Sequence, residues 1–368
     1  MSRRRPRPNL TRCLVTVAVI IAAALASGAA TAAPAASAAT LPGTNLAPVK
    51  SYLLQHTTLL VGFTRDFDAV ADSYYALAQG AGFDYARLWS SKRAAVAKAL
   101  RRAKALWVEG NPYYERVEGV VAGTPSLAVY DVILDAGSSA KEDPASAVPF
   151  DLRLSDGRVL RKPGNLYNLT EGLLWGTRPE LVVKGVKADL DADGKVEFGE
   201  VLPDAKVFRA AADAFTLYGG RLHRASKSWQ PSASDAFTAV VVMVPTMSEY
   251  FGQWKVSRFV LGDRAQGDAF NVVSRLSDIN DILGGLRVIY AGIAPAIAKA
   301  DAQQSLQTKR ELDSLVAYVG RLLRQEQMGK RFEPEQADAL GRDAQERATA
   351  IAGQVTQSAA RLKVKIVQ

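Results

Sequence analysis

Side chains of one apolar face recur at steps of three and four residues over long stretches of this chain, and that spacing most restricts its fold. From Val49 the face runs through Tyr52, Leu53, His56, Leu59, Leu60, Phe63 and Phe67. A second stripe comprises Tyr85, Leu88, Trp89, Val96, Leu100 and Leu106. From Phe237 helical patterning continues almost to the end. A period near 3.6 places these side chains on one side of an α-helix. The sequence therefore predicts an all-α protein.

Breaks in this pattern predict how the helices are grouped. Asn111-Pro112 predicts a break or kink, and residues 136–165 are rich in Gly, Pro, Ser and charge, with a short β-hairpin expected around Asp156-Gly157. Helical patterning returns at Leu166 and continues, across an acidic loop, to about Arg224. A turn-rich linker at 227–235 follows. We predict two helical bundles, 39–226 and 236–368, with the hairpin and the acidic loop inserted in the first.

The first 38 residues have the composition of a secretory signal peptide. Residues 1–12 contain five arginines and no acid, and an apolar run from Cys13 to Ala26 precedes an Ala-Ser-Ala cleavage site at 36–38. The apolar run is shorter than the roughly 20 residues that a spanning helix needs. We therefore predict a secreted or periplasmic protein, exported by the Sec or the twin-arginine route, with no transmembrane span in the mature chain.

Removal of this segment changes the charge and the redox chemistry of the chain. The net charge falls from +9 to +4, because five arginines and no acid are lost. No basic stripe interleaved with aromatics remains, which argues against a nucleic-acid partner. The single cysteine, Cys13, is lost as well. The mature chain therefore has no disulfide, no thiolate metal site and no cysteine nucleophile.

The acidic loop, DLDADGKVEFGE at 189–200, matches the calcium loop of EF-hands. Calcium needs oxygen ligands at loop positions 1, 3, 5, 7, 9 and 12 and glycine at position 6. Gly194 occupies position 6, and the ligand positions are Asp189, Asp191, Asp193, Lys195 (through its carbonyl), Glu197 and Glu200. Sensor loops come in pairs that open a methionine-rich groove, but this chain has one loop and four methionines. We predict a Ca²⁺ site that braces the fold.

Two further stretches pair polar side chains at i and i+3, on one helix face. PYYERVEG contains Glu115 and Glu118, and NLYNLTEGLLWG contains Asn168 and Glu171. Facing acidic pairs within a helical bundle are how carboxylate metal sites are built. The alternative is that these glutamates are surface residues or ion-pair partners of Arg116 or Arg178.

These stretches resemble the imelysin-like family, which includes the imelysin-type domains of bacterial Efe iron-uptake systems. VKSYLLQHTTLLVGFTRDFDAV resembles the opening helix of that family, PYYERVEG its Tyr-Glu-x-x-Glu motif, and NLYNLTEGLLWG its Gly-x-His-x-x-Glu segment. SRLSDINDILGGLRVIYAG at 274–292 resembles its second half. The resemblance implies a secreted or periplasmic protein of two four-helix bundles, linked to iron acquisition.

The resemblance also implies a ligand set for Fe³⁺ or Fe²⁺. It carries over to Glu115, Glu118 and Glu171, and to either Asp131 or Asp135. Here Asn168 replaces the motif histidine and Leu166 replaces its glycine. The remaining set is nearly all oxygen, which favours Fe(III), Mn or Ca over Zn or Cu. His56 is a further candidate that would reach the cluster from the first helix.

These features favour a metal-binding protein over an enzyme. The chain lacks the histidine pair of a zinc peptidase and the usual serine nucleophile motifs. The first hypothesis is a calcium-braced protein of iron acquisition that works with an inner-membrane iron permease. The second is a calcium-binding surface or polysaccharide-binding protein without an iron site, whose groove would use Tyr113, Tyr114, Tyr167 and Trp175. A third is a structural partner of an inner-membrane transporter.

Overall fold

A computed structural model describes residues 41–265 and 270–367 of the chain. The described residues are mainly helical, with one two-stranded sheet, so the predicted all-α class is confirmed. The predicted signal peptide lies outside the described residues.

The helices are numbered here in chain order. They are α1 Ala47–Gly80, α2 Tyr85–Val121, α3 Ala128–Asp131, α4 Leu166–Trp175, α5 Ala205–Ser228, α6 Ala233–Met243, α7 Met247–Val256, α8 Arg258–Leu261, α9 Arg275–Ala300, α10 Ala302–Gln327 and α11 Pro334–Arg361. A π-helix, Val132–Ala136, continues directly from α3. Short 3₁₀ turns are Pro179–Leu181, Val244–Thr246 and Gly262–Arg264. The strands are β1 Asp151–Arg153 and β2 Val159–Arg161.

Helices α1, α2 and α5 pack around an aromatic core. The Phe63 ring of α1 lies 6.3 Å from Trp107 of α2 and 5.9 Å from Phe215 of α5. Gly110 lets α1 and α2 approach closely, because a Cβ atom there would lie 2.3 Å from the Phe63 ring. This contact fixes the half of α2 that follows Gly110, where Glu115 and Glu118 lie.

Helix α2 also packs against α9. A Cβ atom on Gly285 of α9 would lie 2.5 Å from the backbone oxygen of Arg116, so the two helices approach through glycine. The described residues, 41–265 and 270–367, form one compact unit. The division into bundles at 39–226 and 236–368 stays a prediction.

Two local predictions about α2 and the hairpin have different outcomes. The hairpin is confirmed, with β1 and β2 paired antiparallel and Leu152 opposite Leu160. Of the break or kink expected at Asn111-Pro112, the break is wrong, because α2 continues through Pro112, and the kink stays a prediction. The residue with non-helical torsion angles inside α2 is instead Lys92.

The continuous helical pattern expected from Leu166 to Arg224 is also wrong. Helix α4 ends at Trp175, where Gly176 adopts a left-handed φ of 75°, and α5 begins only at Ala205, capped by Asp204. Between them, an isolated bridge pairs Val182 with Pro203. The loop at 189–200 is therefore not flanked directly by two helices as in an EF-hand, because Gly176 and Pro179 end the helical register.

Among the described residues, α9 is the helix whose length and apolar composition would suffice to cross a membrane. Its most apolar window has a mean hydropathy of 1.4, but 56% of that window is buried inside the fold. Ile282, Leu286 and Ile289 are core residues of this helix. This burial is that of a core helix, so the described chain has no clear transmembrane span.

Candidate metal centre

The second half of α2 buries two glutamates on one helix face. Glu115 and Glu118 are 1% and 4% exposed. The Tyr250 hydroxyl of α7 donates to Glu118 Oε1 at 2.5 Å. Arg116 lies 3.6 Å from Asp281, and Arg178 pairs with Glu180 at 2.9 Å. The two glutamates are therefore neither surface residues nor partners of these arginines.

The two candidate aspartates lie one turn apart, at the end of α3 and in the π-helix. One carboxylate oxygen each from Glu115, Glu118 and Asp135 lies within 4.8 Å of the others. Asp131 instead accepts a hydrogen bond from the Tyr114 hydroxyl at 2.6 Å. The π-turn, a deviation often found at functional sites, carries Asp135 to this group. Asp131, one helical turn earlier in the chain, lies outside this group of three.

Helix α4 brings the second motif to the edge of this group. The Asn165 side chain caps α4, accepting from the Asn168 N–H at 2.8 Å. Glu171 accepts from the Val272 N–H at 2.7 Å and lies 3.4 Å from Trp107 Nε1. Asn168 is exposed. Both side chains line a small cavity beside the carboxylates, outside the group of three.

That cavity has a volume of about 10 Å³, which is room for about one water molecule. Its lining combines carboxylates, amides, a tyrosine, a valine and an arginine: Asn111, Asp135, Tyr167, Asn168, Glu171, Asn271, Val273, Arg275 and Asp278. The exposed Asn168 lies at the solvent-facing part of this polar cavity.

Sequence reasoning missed Arg275 and Asp278 at the start of α9. Arg275 NH1 donates to Asp278 Oδ2 at 2.9 Å, and their side chains are 17% and 3% exposed. Both lie in the 274–292 stretch that resembles the second half of the imelysin family. The signal for this pair in the sequence is the i,i+3 spacing of Arg275 and Asp278 at a helix start capped by Ser274. Only tertiary packing shows that α9 faces Glu115.

The carboxylates crowd one another in a buried place, which raises their pKa values. Burial, followed by repulsion from Asp278, Asp135 and Glu118, raises the pKa of Glu115 well above its ordinary value. Burial, then repulsion from Asp135 and Asp131, does the same for Glu118. Both carboxylates are costly to ionise without a cation nearby.

Similar effects act on the surrounding acids. Burial is the largest cause in each case, and it raises the pKa of Asp131 and of Glu171 to about 7 and that of Asp278 to about 6. The pKa of Asp135 is also raised by burial and lowered by Arg275. The centre therefore stores protons that a metal ion would displace.

The residues fit a hard metal ion. Glu115 Oε2 and Glu118 Oε2 are buried and have no hydrogen-bond partner among the described residues. Buried polar atoms are normally satisfied. A proton shared between Glu115 and Glu118 would satisfy these oxygens in the metal-free protein, and a cation beside Asp135 would do so once that proton is displaced. The donors are oxygen atoms, which suit hard cations.

The predicted calcium loop gathers its first three aspartates. One carboxylate oxygen each from Asp189, Asp191 and Asp193 lies within 4.8 Å of the others. Glu200 turns back into the loop and accepts from the Leu190 N–H at 2.6 Å. Arg93 of α2 lies 2.8 Å from Asp189 Oδ2. The remaining two positions, Lys195 and Glu197, are exposed.

The second hypothesis predicts a surface groove lined by four aromatic side chains. This prediction is wrong, because three of the four are buried. Tyr114, Tyr167 and Trp175 are buried, at 0%, 5% and 8% exposure. Their rings pack in the core against neighbouring aromatic rings. The ring centroids of Tyr114 and Tyr167, for example, lie 5.8 Å apart. These three rings are not available to stack on a sugar.

The two histidines lie away from the carboxylate group. The His56 ring lies 4.4 Å from Tyr52, and burial, then the charge of Arg116, lowers its pKa. His223 Nδ1 lies 3.0 Å from Thr57 Oγ1. Among the described residues, neither histidine belongs to a group of potential ligands that could share one metal ion.

Comparison with known proteins bears on this helical fold and its carboxylate centre. The family model described as Imelysin matches residues 53–357. This range includes both acidic motifs, the loop at 189–200 and the start of α9. A search of curated proteins finds no significant match to the chain. Because the family match covers most of the sequence, this protein belongs to the imelysin family.

Proposed function

We propose that this protein binds a hard metal ion at the carboxylate centre of α2 and the π-helix, and that it does so in iron acquisition. The observation that supports this most is the pair of buried, unpartnered oxygens of Glu115 and Glu118, which share their surroundings with Asp135. Their desolvation costs free energy that a bound cation would recover. Iron is here the cargo of the protein.

The donor set favours Fe(III), with Mn(II) and Ca²⁺ as competitors, over Zn or Cu. Glu115, Glu118 and Asp135 would hold the ion, and Glu171 and Asn168 lie at the solvent-facing side. An amide oxygen at 168 is a weaker and harder ligand than the imidazole of the family motif. The site is therefore suited to an ion that prefers oxygen.

We further propose that the protein is not an enzyme. Peptide hydrolysis needs an activated nucleophile or an activated metal-bound water. The chain has two histidines and, after export, no cysteine. The buried glutamates lie on one helix face, an arrangement suited to holding one ion.

The loop at 189–200 is proposed to bind Ca²⁺ as a brace for the metal centre. The Phe198 ring lies 4.9 Å from that of Phe270, and a Cβ atom on Gly199 would lie 3.0 Å from Trp175 Cδ1. Trp175 is the last residue of α4, the helix that carries Glu171. Phe270 lies two residues before Val272, whose backbone N–H donates to Glu171. A rigid loop would thus support one wall of the cavity.

Export to the periplasm or the exterior, as in the family, would place the protein where it meets both ions. Extracellular calcium is abundant enough to fill a weak loop. The proposed partner is an inner-membrane iron permease that receives the cargo.

The test is metal content and titration of residues 39–368. It compares the native protein with Glu115→Gln/Glu118→Gln, with Asp189→Asn, and with Glu109→Gln, an exposed change on the same helix. The double change should weaken Fe(III) binding at least about a hundredfold, since two of three charged ligands are lost. Asp189→Asn should remove only Ca²⁺, and Glu109→Gln should change neither.

Calcium binding without iron binding would overturn the iron proposal and favour the second hypothesis, a calcium-binding surface protein on the same scaffold. Iron binding that survives the double change would place the site elsewhere.

A further inference from the structure

Helix α9 brings an ion pair to the edge of the carboxylate group. Asn111 connects the two, because its Nδ2 lies 3.4 Å from Glu115 Oε1 and 3.4 Å from Asp278 Oδ1. The other oxygen of Asp278 accepts from Arg275 at 2.9 Å. One oxygen of Asp278 thus accepts from an amide that also contacts Glu115, and the other accepts from a guanidinium.

Arg275 is a permanent positive charge among several acids. Burial alone would lower the pKa of Arg275, but Asp278, Asp135 and Glu115 outweigh that effect and raise it. Arg275 lines the same small cavity as Asp135, Glu171 and Asp278. A buried guanidinium stays protonated, so this charge is present at every physiological pH.

The hydrogen bonding of Arg275 is incomplete. Its Nε is buried and has no hydrogen-bond partner among the described residues. A guanidinium bound firmly in place normally uses its planar fork in two parallel bonds. Here Arg275 contacts Asp278 through NH1, so the pair is held less firmly than a bidentate one.

We propose that Arg275 is the built-in counter-cation of the metal-free centre and that it keeps Asp278 from acting as a fourth carboxylate ligand. An arriving metal ion takes over the neutralising role of Arg275, and Asp278 then turns from the guanidinium to the metal. This inference rests on the proposed function, because it concerns how the same centre exchanges its cation.

Arg275 has opposite effects on the stability of the metal-free fold and on the affinity for metal. Arg275 stabilises the metal-free fold, since it offsets the repulsion between buried carboxylates. It also opposes metal binding, because it repels the cation and occupies a ligand. A centre built this way binds its cargo less tightly than its carboxylates alone would, which favours release to a partner.

The experiment measures Mn²⁺ affinity by titration, and thermal unfolding without metal, for four variants in addition to the native protein. These are Arg275→Gln, Asp278→Asn, the double change, and Arg275→Lys, which keeps the charge. At pH 8.5, where fewer protons compete for the carboxylates, Arg275→Gln should tighten Mn²⁺ binding at least tenfold and lower the unfolding temperature of the metal-free protein. Asp278→Asn should weaken binding, and it should reduce the gain that Arg275→Gln brings. Arg275→Lys should stay near the native affinity.

A merely structural role for Arg275 predicts a different pattern. Arg275→Gln would then lower stability and leave Mn²⁺ affinity equal or weaker, while the native protein still binds Mn²⁺ through Glu115 and Glu118. That result would overturn this inference and leave the proposed function intact. Failure of the native protein and every variant to bind Mn²⁺ or Fe(III) would overturn both.

A crystal structure of the native protein with Mn²⁺ keeps the test decisive if Arg275→Gln does not fold. Asp278 bound to the metal, with its contact to Arg275 broken, would support the inference. Asp278 still paired with Arg275 beside a bound ion would overturn it.

Discussion

At the scale of single residues, Asn168 stands where the resemblance to the imelysin family implies a histidine. The side chain is exposed and lines the cavity beside Glu171, one turn further along α4. An amide in place of an imidazole would shift the proposed centre toward harder ions. The neighbouring question, Asp131 or Asp135, was left open by spacing, and the structure brings Asp135 to the two glutamates and Asp131 to Tyr114.

Restoration of the histidine should therefore change metal preference. We expect Asn168→His to strengthen Co²⁺ or Zn²⁺ binding relative to Mn²⁺ by about tenfold, or about 1.4 kcal/mol, since imidazole suits these metals better than an amide. Thermal stability should stay nearly constant because the site is exposed. Asn168→Gln, which keeps the amide, is the control in the same competition titration. Equal preference in both variants would show that position 168 does not reach the ion.

At the scale of elements, the centre depends on the placement of α2 between α1 and α9. Helix α2 approaches α1 at Gly110 and α9 at the backbone of Arg116, and Glu115 lies between these two contacts. Close packing of this kind leaves no room for a side chain at Gly110. Small residues thus position Glu115 and Glu118 without touching them.

Gly110→Ala should destabilise the protein by about 1–3 kcal/mol, because the added methyl would overlap the Phe63 ring. Gly62→Ala is the matched control, since Gly62 lies exposed in α1 and a Cβ atom added there would meet open space. That change should stabilise the protein by about 0.5–1 kcal/mol through helix propensity alone. Chemical denaturation measures both. A stabilising effect at Gly110 would contradict the close contact of α1 with α2.

At the scale of the whole molecule, the buried acids link stability to pH and to metal. The pKa values of Asp131 and Glu171 are raised to about 7, and that of Asp278 to about 6, chiefly by burial. A carboxyl whose pKa is higher in the folded than in the unfolded state stabilises the fold at low pH. That contribution is lost as the pH rises through the folded pKa.

The metal-free protein should accordingly be less stable at pH 8 than at pH 5.5, by at least about 1 kcal/mol. Metal affinity should change in the opposite direction, because protons compete with the cation for the same oxygens. Thermal unfolding with a chelator and with Mn²⁺ at both pH values measures these trends. Glu115→Gln/Glu118→Gln should weaken both of them, and a metal affinity independent of pH would contradict a carboxylate site.

The sequence by itself determined the helical class, the hairpin and the acidic motifs, because apolar spacing and turn residues act over a few neighbouring positions. Pro112 shows the limit of such local rules, since tertiary packing keeps α2 helical through it. Only the tertiary structure brought Arg275 and Asp278 to Glu115, because these residues are more than 150 positions apart in the chain. It also decided between Asp131 and Asp135, and it buried the aromatics that a surface groove would need. Ligand geometry and burial depend on which helices meet, and that depends on how the whole core packs.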